Sequence, residues 1–272
     1  MMAARCRIAA LQMVSAPEVG PNLEAAGRLI AAAAAQGAQL VALPEYFCLL
    51  GRHEMDKVKV REQDGAGPIQ DFLAEAALKN RVWLVGGTLP VECDDPARVR
   101  SACLLFDDAG RRIARYDKIH LFAFARGAEK YDETRAMQAG DTPVVVDSPY
   151  GRLGLSACYD VRFPELYRAP GSGPVDIWFV PSAFTATTGT AHWEVLLRAR
   201  AIENLCYMVA PAQGGAHQNG RRTHGHTMIV GPWGEILAEQ AEGEAVVIAD
   251  TDPQQLAEVR ASLPALDNRR IP

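Results

Sequence analysis

Short, nearly continuous apolar runs recur along this chain, separated by stretches of helical periodicity, and that alternation limits the fold more than any other feature. Ile8–Met13, Leu40–Leu43, Val82–Val85 and Ile177–Val180 are too short for helices and too apolar for strands with one wet face. They read as strands covered on both sides. Leu23–Gln36 has the pattern of a helix, with Asn22 as its cap and Gly37 as its stop. Pro68–Lys79 places Ile69, Phe72, Leu73 and Ala76 at helical spacing, and Ala191–Glu203 does the same with Trp193, Leu196, Leu197 and Arg200. Ser101–Phe106 and Arg111–Tyr116 flank the turn Asp107-Asp108-Ala109-Gly110, while Val144–Val146 and Leu153–Ala157 flank Tyr150-Gly151; both pairs predict hairpins. Cys206–Ala210, Thr227–Val230, Glu235–Ala238 and Ala245–Ala249 read as further strands, and Asp252 with Pro253 and Gln255 as a helix start. Gly171-Ser172-Gly173-Pro174 reads as a loop too short to separate domains. The expectation is one α/β domain over residues 1–272, built in layers.

Several function classes are disfavoured. Lys plus Arg is 28 against 33 Asp plus Glu, a net charge of −5, which offers no basic footprint for nucleic acid. The longest apolar helix candidate, around Ala31–Ala35, is interrupted by Arg28, Gln36 and Gly37. It falls well short of the roughly 20 residues that span a membrane. Arg5 and Arg7 precede the run Ile8–Val14, but Gln12 interrupts it and no clear small-residue cleavage site follows, so it reads as a first strand rather than a signal peptide. Cys6, Cys48, Cys93, Cys103, Cys158 and Cys206 include no C-x-x-C pair, which argues against a disulfide scaffold and a zinc knuckle. Reduced thiols in a cytoplasmic compartment are the expectation.

Three polar residues follow apolar strands, where open α/β folds place their sites. Glu45 follows Leu40–Pro44, Lys118 follows the strand ending near Tyr116, and Cys158 follows Leu153–Ala157. Singly, each has an ordinary reading: a loop acid or cap, a surface cation, a small core residue. Together they supply a carboxylate that can take a thiol proton, a cation that can meet an oxyanion, and a sulfur nucleophile. Spacing alone does not bring them together. A Cys–His enzyme is the rival, with His53, His120, His192, His217, His224 and His226 available. His224 and His226 flank Gly225 and would share a face on a strand, but two histidines without a third donor are a weak metal signal. Gly86-Gly87 alone is no dinucleotide fingerprint.

Leu43-Pro44-Glu45, the block Tyr116–Phe122 (YDKIHLF) and the block Cys158–Glu165 (CYDVRFPE) resemble the three signature blocks of the nitrilase, or carbon–nitrogen hydrolase, superfamily. The resemblance continues through Pro181–Phe184, Ala191–Glu203 and Gly225–Met228, and covers nearly the whole chain. It implies a four-layer αββα sandwich, usually paired into homodimers or higher homo-oligomers. It implies Cys158 as nucleophile, Glu45 as general base and Lys118 as the oxyanion-stabilising cation, helped by the backbone N–H of Tyr159. A second glutamate falls between the lysine and cysteine blocks in such enzymes, and Glu133 in Tyr131-Asp132-Glu133-Thr134 is the candidate. The implied reaction is acyl transfer from a small-molecule amide with no cofactor and no metal. Tyr159-Asp160 after the cysteine looks like the amidase branch, and Pro181–Glu203 looks most like enzymes acting on deaminated glutathione, with ω-amidases beside them. Both substrates carry a carboxylate next to a ketone, so a pocket arginine is expected, and Arg162 is the first candidate. One departure stands out: Ala123 occupies a position where the family's amidases usually carry Asp, in a segment expected to border the pocket.

Overall fold

The computed structural model describes residues 3–127, 129–169 and 173–270. The first part of the chain builds one sheet from β1 (Cys6–Gln12), β2 (Leu40–Ala42), β3 (Trp83–Val85), β4 (Leu89–Glu92), β5 (Val99–Phe106) and β6 (Arg112–Asp117). Helices α1 (Val19–Ala35) and α3 (Pro68–Asn80) are the crossovers that leave β1, β2 and β3 parallel, with the single turn α2 (Asp56–Lys59) between them in sequence. A hairpin of β7 (Ala123–Arg126) and β8 (Glu129–Asp132) follows. The second sheet begins with β9 (Val144–Ser148) and β10 (Gly151–Leu155), and continues past α4 (Pro164–Arg168) to β11 (Ile177–Phe179) and past α5 (Ala186–Asn204) to β12 (Tyr207–Ala210). After a hairpin of β13 (Gly214–Ala216) and β14 (Arg222–His224), β15 (Thr227–Val230) and β16 (Ile236–Gln240) complete that sheet. The chain then returns to the first sheet, where β17 (Ala245–Thr251) pairs antiparallel with β1, Cys6 opposite Thr251 and Gln12 opposite Ala245. Helix α6 (Pro253–Ser262) follows, its start capped by Asp252 Oδ1, which accepts the N–H groups of Gln254 and Gln255.

The period of two along each strand sets the layers. On β1, Ala9 and Leu11 join Ile30 of α1 and Leu73 of α3 in one core. Ile8 and Ala10 point the other way, into a core shared with Leu155, Phe179 and Val209 of the second sheet. The far face of that sheet sets Trp178, Val180 and Met208 against Trp193, Leu197 and Ala201 of α5. Three cores separate four layers, helices on sheet on sheet on helices, which is the αββα sandwich. Both sheets are covered on both faces, and this is why their strands read as unbroken apolar runs.

Gln12 is the polar exception within β1 and is fully buried. Its Nε2 donates to Gly243 O at 2.9 Å and its Oε1 accepts the Thr227 N–H at 3.0 Å, so one side chain ties the first sheet to the second.

Several boundaries differ from expectation for identifiable reasons. Helix α1 begins at Val19 with Glu18 as its cap, not at Asn22. Pro21 fits the first turn because its missing N–H would be unpaired there. Asn22 is freed to bond Ala16 N and O and Cys48 O, holding the loop beside it. Strand β4 contains Pro90, which hides it from a propensity reading, but β4 lies at the sheet edge where proline is tolerated. His224 and His226 do not share a strand face. Gly225 and His226 both turn left-handed (φ 72° and 53°), and the rings stack with centroids 4.3 Å apart. Of the loop Gly171-Ser172-Gly173-Pro174, the first two residues lie outside the described residues.

The loop after β3 sets up the site. Gly87 has φ 57°, and a Cβ there would sit 2.2 Å from the Pro44 carbonyl oxygen, on the segment that delivers Glu45. Gly87→Ala is expected to destabilise the fold by about 3 kcal/mol, combining left-handed strain with a backbone clash. A urea titration checks it, with the midpoint falling and the slope unchanged.

Candidate active site

The carboxyl ends of strands from both sheets converge at one end of the sandwich. Met13, just past β1, bridges to Gln213, which follows β12, and Ser182, just past β11, bridges to Ala212. Gln213 is fully buried; its Nε2 donates to Glu45 O at 3.0 Å, and its Oε1 accepts the Ser15 N–H at 3.0 Å. Glu45 thus leaves β2 through Leu43 and Pro44 and is fixed from the opposite sheet. Lys118 follows β6, its N–H on Ser101 O at 3.0 Å. Cys158 follows β10, its N–H on Pro181 O at 2.9 Å, and opens a 3-10 turn over Cys158–Arg162.

Cys158 adopts φ 49° and Tyr46, next to Glu45, adopts φ 57°. Non-glycine residues in this region cost of order 1–3 kcal/mol each, so the surroundings must hold them there. The bend leaves the Tyr159 N–H in the first turn without a carbonyl partner among the described residues.

Lys118 lies at the centre. Its Nζ donates to Glu45 Oε1 at 2.8 Å and to Glu133 Oε2 and Oε1 at 2.8 and 3.0 Å. The ammonium is fully buried and both carboxylates nearly so. Glu133 is further held by the Tyr46 hydroxyl at 2.5 Å and the Phe122 N–H at 2.7 Å. These donors distinguish the two acids. Burial pushes the Glu45 carboxyl above the usual glutamate range; Lys118 opposes that rise and Glu133 adds to it. Burial acts on Glu133 in the same direction, but Lys118, Lys57 and the Phe122 N–H outweigh it and hold that carboxyl below its ordinary value. Burial disfavours the Lys118 cation, yet the two glutamates keep its pKa well above normal. Burial and then the Glu45 charge push the Cys158 thiol well above its ordinary value, against Lys118 and the Ala183 backbone. The resting site therefore holds a neutral thiol, a fixed cation, a fixed anion and a second carboxylate of raised basicity. That set can attack a carbonyl, take up a proton and stabilise an oxyanion.

Asp160 joins the lysine block to the cysteine block. It is fully buried and accepts from Tyr116 OH at 2.6 Å, Ala157 N at 2.7 Å, His120 N at 3.0 Å and His120 Nδ1 at 2.7 Å. The His120 ring stacks on Phe163 with centroids 3.7 Å apart. His120 is a brace here and not a base for the thiol.

Glu45, Tyr46, Glu133, Cys158, Phe122 and Tyr159 face one narrow cavity, completed by Ala183, Phe184, two threonines and Arg221. A groove of about 600 Å³ between α5 and the His224–His226 turn is larger but contains no thiol. Arg162, the first candidate for a pocket arginine, does not itself line the cavity but lies against two residues that do. Its guanidinium lies over the Tyr159 and Phe184 rings, 5.7 and 5.4 Å from their centroids, and Nη1 meets His192 Nδ1 at 3.2 Å. Ala123 is exposed and does not line the cavity, whereas Phe122 beside it does. Among the described residues no group of three His, Cys, Asp or Glu suits a metal ion.

Sequence reasoning missed Tyr46, Gln213, Asp160 and Arg221. Asp160 and Tyr46 adjoin named residues and could have been suspected. Arg221 lies in another hairpin, and nothing local marks it.

Residues 7–261 match the family described as carbon–nitrogen hydrolase. The chain belongs to that family. It is 44% identical over 265 residues to a deaminated glutathione amidase of Synechocystis sp., covering 96% of this chain and 97% of that one. It is 34% identical over 265 residues to omega-amidase NIT2 of Homo sapiens, covering 97% and 95%. Among solved structures, Nit3 of Saccharomyces cerevisiae, a member of branch 10 of the nitrilase superfamily, superposes with a TM-score of 0.90 at 29% identity, covering 99% of this chain and 98% of that one. The chain is thus a hydrolase of carbon–nitrogen bonds.

Because the Glu133 charge raises the Glu45 pKa, Glu133→Gln should move the acid limb of kcat/KM to lower pH while lowering the plateau. A pH–rate profile of both proteins on one accepted amide checks the sign.

Proposed function

We propose that this protein is a cysteine-dependent amidase acting on a small amide that bears a carboxylate, with deaminated glutathione as the leading substrate. The observation that carries the reading is the Lys118 ammonium, bonded at once to Glu45 and Glu133 beside the cavity that Cys158 faces. In the first half-reaction Cys158 Sγ attacks the amide carbonyl and its proton passes to Glu45. Lys118 Nζ and the Tyr159 N–H receive the oxyanion. The tetrahedral intermediate collapses to a thioester, and the amine leaves with the proton held by Glu45. In the second, Glu45 takes a proton from water, the hydroxide attacks the thioester, and the thiolate leaves and is reprotonated. Glu133 remains ionised throughout and positions Lys118. On deaminated glutathione the leaving amine is cysteinylglycine.

An ω-amidase acting on α-ketoglutaramate is the second reading, favoured by the similarity to the human ω-amidase over nearly the full chain. The same chemistry would then release ammonia. We take residues 1–272 to work as one hydrolase domain, in a cytoplasmic compartment and as a homodimer or higher homo-oligomer. Support for the compartment comes from six free cysteines; burial pushes Cys6, Cys48 and Cys206 up to about 12, where they are inert. Support for pairing comes from exposed Val195 and Ile202 on α5, beside exposed Trp233.

The test is kcat/KM on deaminated glutathione and on α-ketoglutaramate, with Cys158→Ala as the blank. A preference for deaminated glutathione of about a hundredfold, near 2.7 kcal/mol of transition-state binding, is expected. The reverse preference moves the assignment to the second reading. Turnover retained in Cys158→Ala overturns the mechanism.

A further inference from the structure

We infer that Tyr46, braced by Lys57 of α2, is a positioning residue that holds Glu133 against Lys118, so that a single helical turn outside the cavity helps to set the pH range of the reaction; this deepens the amidase reading and rests on it. The Tyr46 hydroxyl donates to Glu133 Oε1 at 2.5 Å, on the same carboxylate that takes two bonds from Lys118 Nζ. Tyr46 is the immediate neighbour of Glu45, yet its side chain serves the other acid. Its left-handed turn, at φ 57°, is held by the Tyr46 N–H, which donates to Thr88 Oγ1 at 3.0 Å, and by the Tyr46 carbonyl, which accepts the Leu49 N–H at 3.1 Å. A bulky residue in that conformation is costly, and the hydroxyl on Glu133 is what the turn delivers.

Lys57 supports that tyrosine. Its ammonium lies over the Tyr46 ring, 5.0 Å from the centroid, and is paired with Glu54 at 2.8 Å. The Lys57 side chain is only 14% exposed, so its charge is weakly screened by solvent. Helix α2 is anchored by Val58, which is buried with Val99 and Met137 in a small core against which Tyr46 packs. Among the described residues that line the cavity, none belongs to α2.

Charge explains why Glu133 needs this support. It is faced by Lys118 after β6, by Glu45 and Tyr46 after β2, by Lys57 of α2 and, in the cavity, by Cys158 and Arg221. Burial raises its pKa, and Lys118 and then Lys57 are the charges that bring it below the ordinary value. The Tyr46 hydroxyl stays protonated, and so remains a donor, because burial and the charges of Glu133, Glu45 and Glu54 push its pKa well above normal. The two glutamates titrate as a pair, and the active form has both ionised. A variant that raises the proton affinity of either acid therefore moves the acid limb of the reaction to higher pH. Loss of the Tyr46 hydroxyl removes a donor from the Glu133 anion, and loss of the Lys57 charge removes a cation; both act in that sense. Glu133→Gln acts in the opposite sense, because it removes an anion beside Glu45.

The experiment records kcat and KM against pH on one accepted amide for wild type, Tyr46→Phe and Lys57→Met. The first variant keeps the ring and the second keeps the apolar stem, so the cavity wall and the packing of α2 are preserved. In Tyr46→Phe the kcat plateau should fall about tenfold with KM changed by less than about twofold. The acid limb should move to higher pH in both variants, the reverse of Glu133→Gln. A fall in kcat with an unmoved limb would make Tyr46 a structural residue and overturn the inference, as would a limb that moves down in Tyr46→Phe or stays in place in Lys57→Met. Alkylation of Cys158 by iodoacetamide against pH, read from the mass of its peptide, gives the same answer without turnover. If wild type hydrolyses no amide but the alkylation limb moves up in both variants, the amidase reading fails and the positioning role stands. An alkylation limb common to all three proteins overturns the inference.

Discussion

An ammonium buried between two carboxylates governs how the rest of this molecule is built. Burying three charges in a protein interior carries a desolvation penalty of several kcal/mol per ion, and good geometry with further hydrogen bonds is needed to offset it. The structure meets that demand asymmetrically. Glu133 takes bonds from Lys118, Tyr46 and the Phe122 amide, whereas Glu45 shares the cation with fewer donors. The asymmetry separates the two acids chemically: one stays an anion, and the other keeps enough basicity to accept a proton. Two identical side chains acquire different roles from the charges and hydrogen-bond donors around them.

Holding that arrangement is the task of a few buried polar side chains that cross between elements. Gln12 links the sheets, Gln213 fixes the Glu45 carbonyl from the opposite sheet, and Asp160 gathers four donors from the lysine and cysteine blocks. Each is fully buried among apolar neighbours. Each also defines a relative position that packing between smooth apolar faces would leave loose. Left-handed backbone at Tyr46 and Cys158 is tolerable because these ties over-determine it.

Much of this was legible in the residues. The apolar runs around Ile8, Leu40 and Ile177 implied strands covered on both faces, because no alternation of polar residues left a face for water. The strand-end positions of Glu45, Lys118 and Cys158 were visible for the same reason. Other features were hidden because they depend on pairs distant in sequence. Pro90 masks a strand whose edge position is known only once the sheet is assembled. Asn22 reads as a cap until its partners Ala16 and Cys48 are seen. Arg162 is near Cys158 in sequence and a 3-10 turn sets it against Tyr159 and Phe184, while Arg221 reaches the cavity from a separate hairpin that nothing local marks.

The pairing of β17 with β1 has a consequence for how the chain comes into being. The strand that covers the open side of β1 lies far downstream of it, Thr251 pairing with Cys6. Until it emerges from the ribosome, β1 can dock on β2 but presents its other side as an unpaired row of backbone N–H and C=O groups. Gln12 meanwhile lacks both of its partners, Gly243 and Thr227. Nascent chains of this protein therefore carry a sticky edge until β17 emerges, and shielding of that edge in trans should matter more to yield than the stability of the finished sandwich.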